Sequence, residues 1–195
     1  DIDAYIKEFE ATVISSDECD GGYATVLDKT AFFPEEGGQT CDFGTIDGIE
    51  VSHVSIKENT VYHILPLQIE VGKTVFCKID FDHRYYNMQH HTGEHILSGL
   101  AHRLYGAENV GFHMAPDCMT IDFDRELSFE ELSGIECEAN EAVRADIPVR
   151  AFFPSPEELA SLEYRSKKEL EGSVRIVEIE GIDRCACCAP HVRST

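Results

Sequence analysis

The stretch that decides how this chain is built is His90-His91-Thr92-Gly93-Glu94-His95, near its middle. Around it, Tyr85, Met88, Ile96, Leu97, Leu100 and Leu104 recur at roughly helical spacing. The stretch therefore lies inside one long helix, opening near Asp82 and stopping at Gly106. On that helix His91 and His95 share a face, one turn apart, so both imidazoles reach one metal ion. His90 is the competing ligand, but it falls about 140° around the helix from His95 and reads as a surface or supporting residue. A second half-site lies far downstream, in Cys185-Ala186-Cys187-Cys188-Ala189-Pro190-His191. Cys187 and His191 repeat the four-residue spacing of the first pair, with Cys185 and Cys188 as alternatives to Cys187. Two histidines on a helix and a Cys/His pair from a distant loop make a four-ligand set suited to Zn2+. The other histidines, His53, His63, His83, His102 and His113, read as structural or exposed.

Outward from this helix the period changes. Toward the N-terminus, Phe9–Ile14, Tyr23–Leu27, Phe43–Ile46, Ile49–Ile56, Val61–Leu65 and the run around Val75, Cys77 and Ile79 read as short strands. Asp47-Gly48 is a hairpin signal and Glu58-Asn59 a second turn. Closely spaced strands of this kind predict a small antiparallel β-barrel over residues 1–82. The Phe33–Gln39 stretch interrupts them, and adjacent Gly37 and Gly38 permit positive φ or close backbone approach. Toward the C-terminus, Asn109–Met114 and Met119–Phe123 read as a hairpin. Ser128 with Glu131 is a capping box opening a helix to about Arg144. A strand over Pro148–Phe153, a short helix opened by Ser155-Pro156, and a strand over Val174–Ile179 lead to the Cys-rich loop. Strands and helices in this order predict an α+β domain over residues 83–195.

Composition narrows the function classes. A chain of 195 residues suits one large domain or two small ones. No run approaches the ~20 apolar residues of a membrane span. No basic, apolar leader opens the sequence, which points to a cytoplasmic protein. Eight cysteines, three of them crowded beside His191, then favour metal binding over disulfides. A formal net charge of −21 argues against broad nonspecific nucleic-acid binding, which rests on a basic surface. Both termini read as cut, so a fragment of a longer protein is expected.

The paired motifs resemble the HxxxH and CxxxH signatures of the alanyl-tRNA editing family. That family comprises freestanding editing proteins and the editing domain of alanyl-tRNA synthetase, with a related domain in threonyl-tRNA synthetase. Asp28-Lys29-Thr30-Ala31-Phe32-Phe33-Pro34-Glu35-Glu36-Gly37-Gly38-Gln39 is similar to the family's T-x-F-[FY]-P-x-[GE]-G-G-Q stretch. Asp42-x-Gly44, Arg84-x-x-x-Met88-x-x-His91 and Gly172–Val177 also fit. The departures are Glu36, where a third glycine is usual, and Cys188-Ala189-Pro190, where synthetases carry Gly-Gly-Thr or similar.

The resemblance implies the shared editing-domain fold and hydrolysis of the ester in mischarged tRNA(Ala), chiefly Ser-tRNA(Ala) and also Gly-tRNA(Ala). It implies Zn2+ held by His91, His95, Cys187 and His191, with water rather than a side chain as the attacking group. Thr30 and Gln39 are the candidates to contact the seryl hydroxyl, and Glu94 is the candidate base. The acceptor end of tRNA is expected near Arg84, Arg103, Lys167 and Lys168, with dimerisation through further C-terminal sequence. Two alternatives stand beside this reading. A closed four-ligand site fits a noncatalytic, zinc-stabilised tRNA-docking module. His91-x-x-Glu94-His95 also fits the H-x-x-E-H metallopeptidase motif, which needs a downstream carboxylate ligand and leaves Cys187 and His191 unexplained.

Overall fold

In a computed structural model the described residues are 3–115, 118–166 and 172–195. The chain folds as two compact units, Asp1–Asn87 and Met88–Thr195. The division falls inside the long helix α1 (Phe81–Tyr105) rather than at its start.

The first unit is a seven-stranded antiparallel sheet. Its strands are β1 (Glu8–Cys19), β2 (Gly22–Leu27), β3 (Gly44–Ile46), β4 (Ile49–Val51), β5 (His53–Lys57), β6 (Thr60–Leu65) and β7 (Thr74–Ile79), in the order β4-β3-β7-β1-β2-β6-β5. β4 and β5 lie at opposite edges of this sheet, yet one residue, Ser52, separates them in sequence. Both statements hold only if the sheet curls until its edges meet. The Ser52 N–H and hydroxyl donate to the Ile64 carbonyl of β6, at 2.9 and 3.1 Å, and so help to close it. A continuous strand over 49–56 is thus corrected to two strands, because the chain changes edges at Ser52. β1 makes the opposite turn. Its first half pairs with β7 and its second half with β2, with a bulge between Val13 and Ser15. A bulge bends and twists a strand where a barrel needs a corner. Alternation along β7 sends Val75, Cys77 and Ile79 inward, where they meet Ala11, Val13, Ile46, Val54 and Leu65.

The second unit layers helices on a small sheet. Hairpin β8 (Asn109–Met114) and β9 (Met119–Phe123) follows α1, then α2 (Phe129–Arg144). β10 (Val149–Phe152), β11 (Ile176–Ile179) and β12 (Asp183–Ala186) form an antiparallel sheet in that order, with α3 (Pro156–Ser161) between β10 and β11. α2 opens with the expected box: Glu131 N–H donates to Ser128 Oγ at 3.2 Å, and Ser128 N–H to the Glu131 carboxylate at 2.7 Å. Ile96, Leu100 and Ala101 of α1 pack with Ile135 and Ala142 of α2 and with Ile179 of β11. That cluster fixes α1 in the unit and so fixes the direction in which its histidines point. No helix among the described residues is long and apolar enough to cross a membrane.

Candidate metal centre and its surroundings

α1 carries His91 and His95 on one face, and the chain leaving β12 carries Cys187 and His191. One ligand atom from each of the four lies within 4.8 Å of every other. Cys187 Sγ is 3.6 Å from His91 Nε2 and 3.4 Å from His191 Nε2. A tetrahedral zinc ion, with Zn–S of about 2.3 Å and Zn–N of about 2.05 Å, requires S···N edges of about 3.6 Å. The spacing of these side chains therefore fits zinc. His91, His95 and His191 are buried, as a structural or shielded centre requires. Of the three neighbouring cysteines, only Cys187 joins this set. Burial pushes the Cys185 thiol up to about 12, and Cys188 is exposed.

The surrounding groups explain the orientation. His191 Nδ1 lies 3.0 Å from Thr92 Oγ1, which leaves Nε2 for the metal. The Val192 N–H donates to the same hydroxyl at 3.3 Å, tying the downstream loop to α1. His95 Nδ1 lies 2.9 Å from Asp183 Oδ2, so its Nε2 faces the cluster. Asp183 is itself held by the Arg165 guanidinium, which donates to both carboxylate oxygens at 2.8 and 3.0 Å. His95, Asp183 and Cys185 form a second close group sharing His95. We read that group as the support of the first, since Arg165 already occupies the Asp183 carboxylate. Arg175 holds the ligand loop by donating to the carbonyls of Cys187 and Ala189, both at 2.9 Å.

This arrangement needs a glycine on α1. A Cβ on Gly99 would stand 2.6 Å from both Asp183 Cβ and the Ile182 carbonyl oxygen. Glycine at 99 is what lets Asp183 come down onto the helix within reach of His95, one turn earlier.

Electrostatics of the cluster follow from the same contacts. Burial opposes charge on His95, but Asp183 and the Cys187 sulfur outweigh it and push the ring up to about 10. Burial likewise opposes ionisation of Cys187, yet His191, His91 and His95 hold the thiol well below its ordinary range. His191 is pushed down to about 4, first by burial and then by His95. Zinc takes a thiolate and neutral imidazoles, so the lowered Cys187 thiol and the neutral His191 already match its donor state, and binding would displace the proton that Asp183 and Cys187 hold on His95.

Glu94 is buried beside the centre. Its Oε1 accepts from Ser98 Oγ at 2.7 Å and from Asn109 Nδ2 at 2.5 Å, and its Oε2 is 3.8 Å from His95 Nε2. Thr30 and Gln39 belong to the barrel unit. Thr30 is half-buried, with Oγ1 2.9 Å from His63 Nε2. Gln39 is buried and closes a two-residue turn whose central Gly37 and Gly38 have φ of 64° and 82°. Backbone bonds between Glu36 and Gln39, at 3.1 and 3.3 Å, hold the turn. Glu36 sits outside the positive-φ pair, so the glycine missing there is not demanded by backbone geometry.

Arg84 is corrected. It does not offer a surface charge to tRNA: it is 2% exposed and is spent inside the barrel unit. Its Nε donates to Asp42 Oδ1 at 2.8 Å, and its other nitrogens donate to Asp42 Oδ2 and to the carbonyls of Ala4 and Ala31. The guanidinium fork matches a carboxylate, and that match ties the Asp42 loop to the start of α1. Arg103 is exposed and bonds the Gly181 carbonyl and Glu138. Lys167 and Lys168 lie outside the described residues.

Sequence reading missed Asp183, Arg165, Arg175, Thr92 and Gly99. The Asp183–Ala186 strand was read as loop because it holds no β-branched or aromatic residue. Pairing with β11, Val177 opposite Cys185, makes it a strand. A signal for Gly99 and Thr92 did exist: Gly99 follows His95 by one helical turn, and Thr92 stands directly after His91 and three residues before His95.

Comparison with known proteins places these features in a family context. The family model for class II (A) tRNA synthetases matches residues 4–83, most of the barrel unit. The chain is 36% identical over 207 residues to alanyl-tRNA editing protein AlaX-M of Saccharolobus solfataricus, covering 99% of this chain and 85% of that protein. It is 33% identical over 202 residues to AlaX-L of Pyrococcus horikoshii, covering 99% of this chain and 50% of that protein. It is 36% identical over 205 residues to the alanine–tRNA ligase of Ignicoccus hospitalis, covering 99% of this chain and 22% of the ligase. The chain thus spans about half the length of several relatives it matches.

Proposed function

The chain belongs to the alanyl-tRNA editing protein family, and from that premise we propose that it deacylates mischarged tRNA(Ala), Ser-tRNA(Ala) first and Gly-tRNA(Ala) second. The observation that carries the reading is the four-donor cluster of His91, His95, Cys187 and His191, with S···N separations that fit zinc. The need for such an activity is physical. A pocket built for alanine cannot strongly reject serine, which adds one hydroxyl, or glycine, which lacks one methyl, so a second site must remove the errors.

The roles are assigned unit by unit. His91, His95, Cys187 and His191 hold Zn2+, which when bound supplies Lewis acidity for hydrolysis of the ester. Asp183 and Thr92 fix which nitrogen of His95 and His191 faces the ion. Glu94, anchored at Oε1 by Ser98 and Asn109, is the base that would accept the proton of the attacking water at Oε2. In the barrel unit, Thr30 and Gln39 read the aminoacyl side chain. Oxygen and nitrogen groups there match a seryl hydroxyl and leave an alanyl methyl unmatched. The acceptor end of tRNA is the partner, with Arg103, Lys167 and Lys168 as its proposed contacts. A zinc-bound thiolate suits a reducing, cytoplasmic setting.

The test is hydrolysis of Ser-tRNA(Ala) beside Ala-tRNA(Ala), by wild type and Cys187→Ala. Selective loss of serine by wild type, abolished in a folded Cys187→Ala, supports the proposal. Equal hydrolysis of both esters, or of neither, refutes it.

One observation favours a second reading. Four buried or half-buried donors fill a zinc tetrahedron, as in a noncatalytic centre that only stabilises the unit. Metal-stripped protein that unfolds supports that reading, whereas stripped protein that stays folded but inactive supports editing. Among the described residues, the downstream carboxylate beside His95 is that of Asp183, which faces Nδ1 and Arg165 rather than the four-donor cluster, so it does not serve as the ligand the metallopeptidase alternative needs.

A further inference from the structure

His63 is fully buried in the barrel unit, and neither the metal centre nor the proposed base uses it. Its Nδ1 lies 3.0 Å from the Thr25 carbonyl oxygen, and its Nε2 lies 2.9 Å from Thr30 Oγ1. A carbonyl oxygen only accepts, so the ring proton sits on Nδ1. Burial holds the ring neutral, pushed down to about 4, so it carries only that one proton. Nε2 is then a bare lone pair and can only accept.

The consequence passes to Thr30. Its hydroxyl has one proton, and that proton goes to His63 Nε2. The Phe32 N–H donates to the same oxygen at 3.1 Å, taking one of its two lone pairs. What remains on Thr30 is a single acceptor site. The Phe32 ring stands edge-on to His63, centroids 5.3 Å apart at 74°, and limits the tilt of the imidazole. The chain Thr25 carbonyl–His63–Thr30 therefore has one proton order, set from the buried end.

We infer that His63 is a positioning residue for substrate choice: it makes Thr30 an acceptor-only group, so that the site recognises an aminoacyl group bearing a hydrogen-bond donor. This rests on the reading that Thr30 meets the aminoacyl side chain. A seryl hydroxyl supplies the donor. An alanyl methyl does not, and neither does glycine. The contact thus selects serine over both, and glycyl ester gains nothing from it. A hydroxyl free to rotate would recognise donors and acceptors alike and would discriminate less.

Two measurements test this. Nitrogen-15 NMR of the full chain reads the His63 tautomer without any activity assay, and the expected result is a protonated Nδ1 with an unprotonated Nε2. A protonated Nε2 overturns the inference. The second measurement is the ratio of kcat/KM for Ser-tRNA(Ala) to that for Ala-tRNA(Ala). Thr30→Val and His63→Phe should each lower the ratio about tenfold, the value of one hydrogen bond. The double variant should be no worse than either single one, and His63→Gln, which can again present an acceptor to Thr30, should recover part of the loss. If Thr30→Val lowers the ratio and His63→Phe does not, the His63 inference fails alone. If Thr30→Val leaves the ratio intact, the Thr30 reading fails and the inference falls with it. Should His63→Phe not fold, the tautomer still decides.

Discussion

Asp183→Asn is the perturbation whose size follows most directly from the structure. The wild-type carboxylate contacts His95 Nδ1 at 2.9 Å and accepts two bonds from Arg165 at 2.8 and 3.0 Å. Asparagine keeps the volume and can still turn its oxygen toward Nδ1. What is lost is charge. A bond to a charged partner contributes about 1.5–3 kcal/mol and a neutral one about 0.5–1.5 kcal/mol, so the change at His95 is about 1–1.5 kcal/mol. That corresponds to about a tenfold loss of zinc affinity, the lower end of the 10- to 100-fold range for such supporting groups. Asp183→Ala, which removes the oxygen altogether, should approach the upper end. Folding should suffer as well, because Arg165 is left as a buried, half-matched cation. Breaking a buried pair costs roughly 3–5 kcal/mol, and the small exposure of Arg165 places this one near the low end. The assays are competition with a chromophoric chelator for zinc and thermal unfolding with and without the metal. Zinc affinity within twofold of wild type in both variants would refute the role given to Asp183.

Other consequences are equally open to measurement. Arg84→Ala leaves Asp42 as a buried carboxylate without its guanidinium, and should cost roughly 3–5 kcal/mol in denaturant unfolding. An effect under 1 kcal/mol would show that the pair is not a barrel strut. Gly99→Ala gains up to about 1 kcal/mol of helix propensity but forces Asp183 and Ile182 back, an overpacking of about 1–3 kcal/mol. Weaker zinc binding should accompany any loss of stability, and undiminished zinc affinity would contradict the role of that close approach. His63, held near 4 by burial against 6.5 in the unfolded chain, binds its proton more readily when unfolded. Its contribution is present above pH 6.5 and is lost as pH falls through 4, by about 3 kcal/mol in all. Urea unfolding of wild type and His63→Phe across that window should show a steeper pH slope for wild type, and parallel slopes would count against the buried neutral ring.

How much of this was legible in sequence depends on the range of the cause. Ser128 and Glu131 announce α2 because a capping box is local, and Asp47-Gly48 announces its hairpin for the same reason. The paired spacings of His91/His95 and Cys187/His191 point to one another because both halves are written in helical or turn-length intervals. Ser52 shows where legibility stops. Nothing around it marks a strand end, and only closure of the sheet requires the chain to change edges there. β12 is similar, since Asp183–Ala186 becomes a strand through its partner β11 rather than through propensity. Arg84 was misread for a related reason. An arginine in an acidic chain looks like a tRNA contact until Asp42, far from it in sequence, is seen to occupy it.

Under the proposed function, a zinc ion held by His91, His95, Cys187 and His191 would serve ester hydrolysis and not act only as a structural clamp. The most direct test is to strip the protein of metal, confirm by circular dichroism that it remains folded, and titrate Zn2+ back while following bound metal and Ser-tRNA(Ala) hydrolysis together. Hydrolysis should rise in step with zinc and saturate at a single equivalent per chain. Full activity in the stripped protein, or no activity once that equivalent is bound, would contradict it.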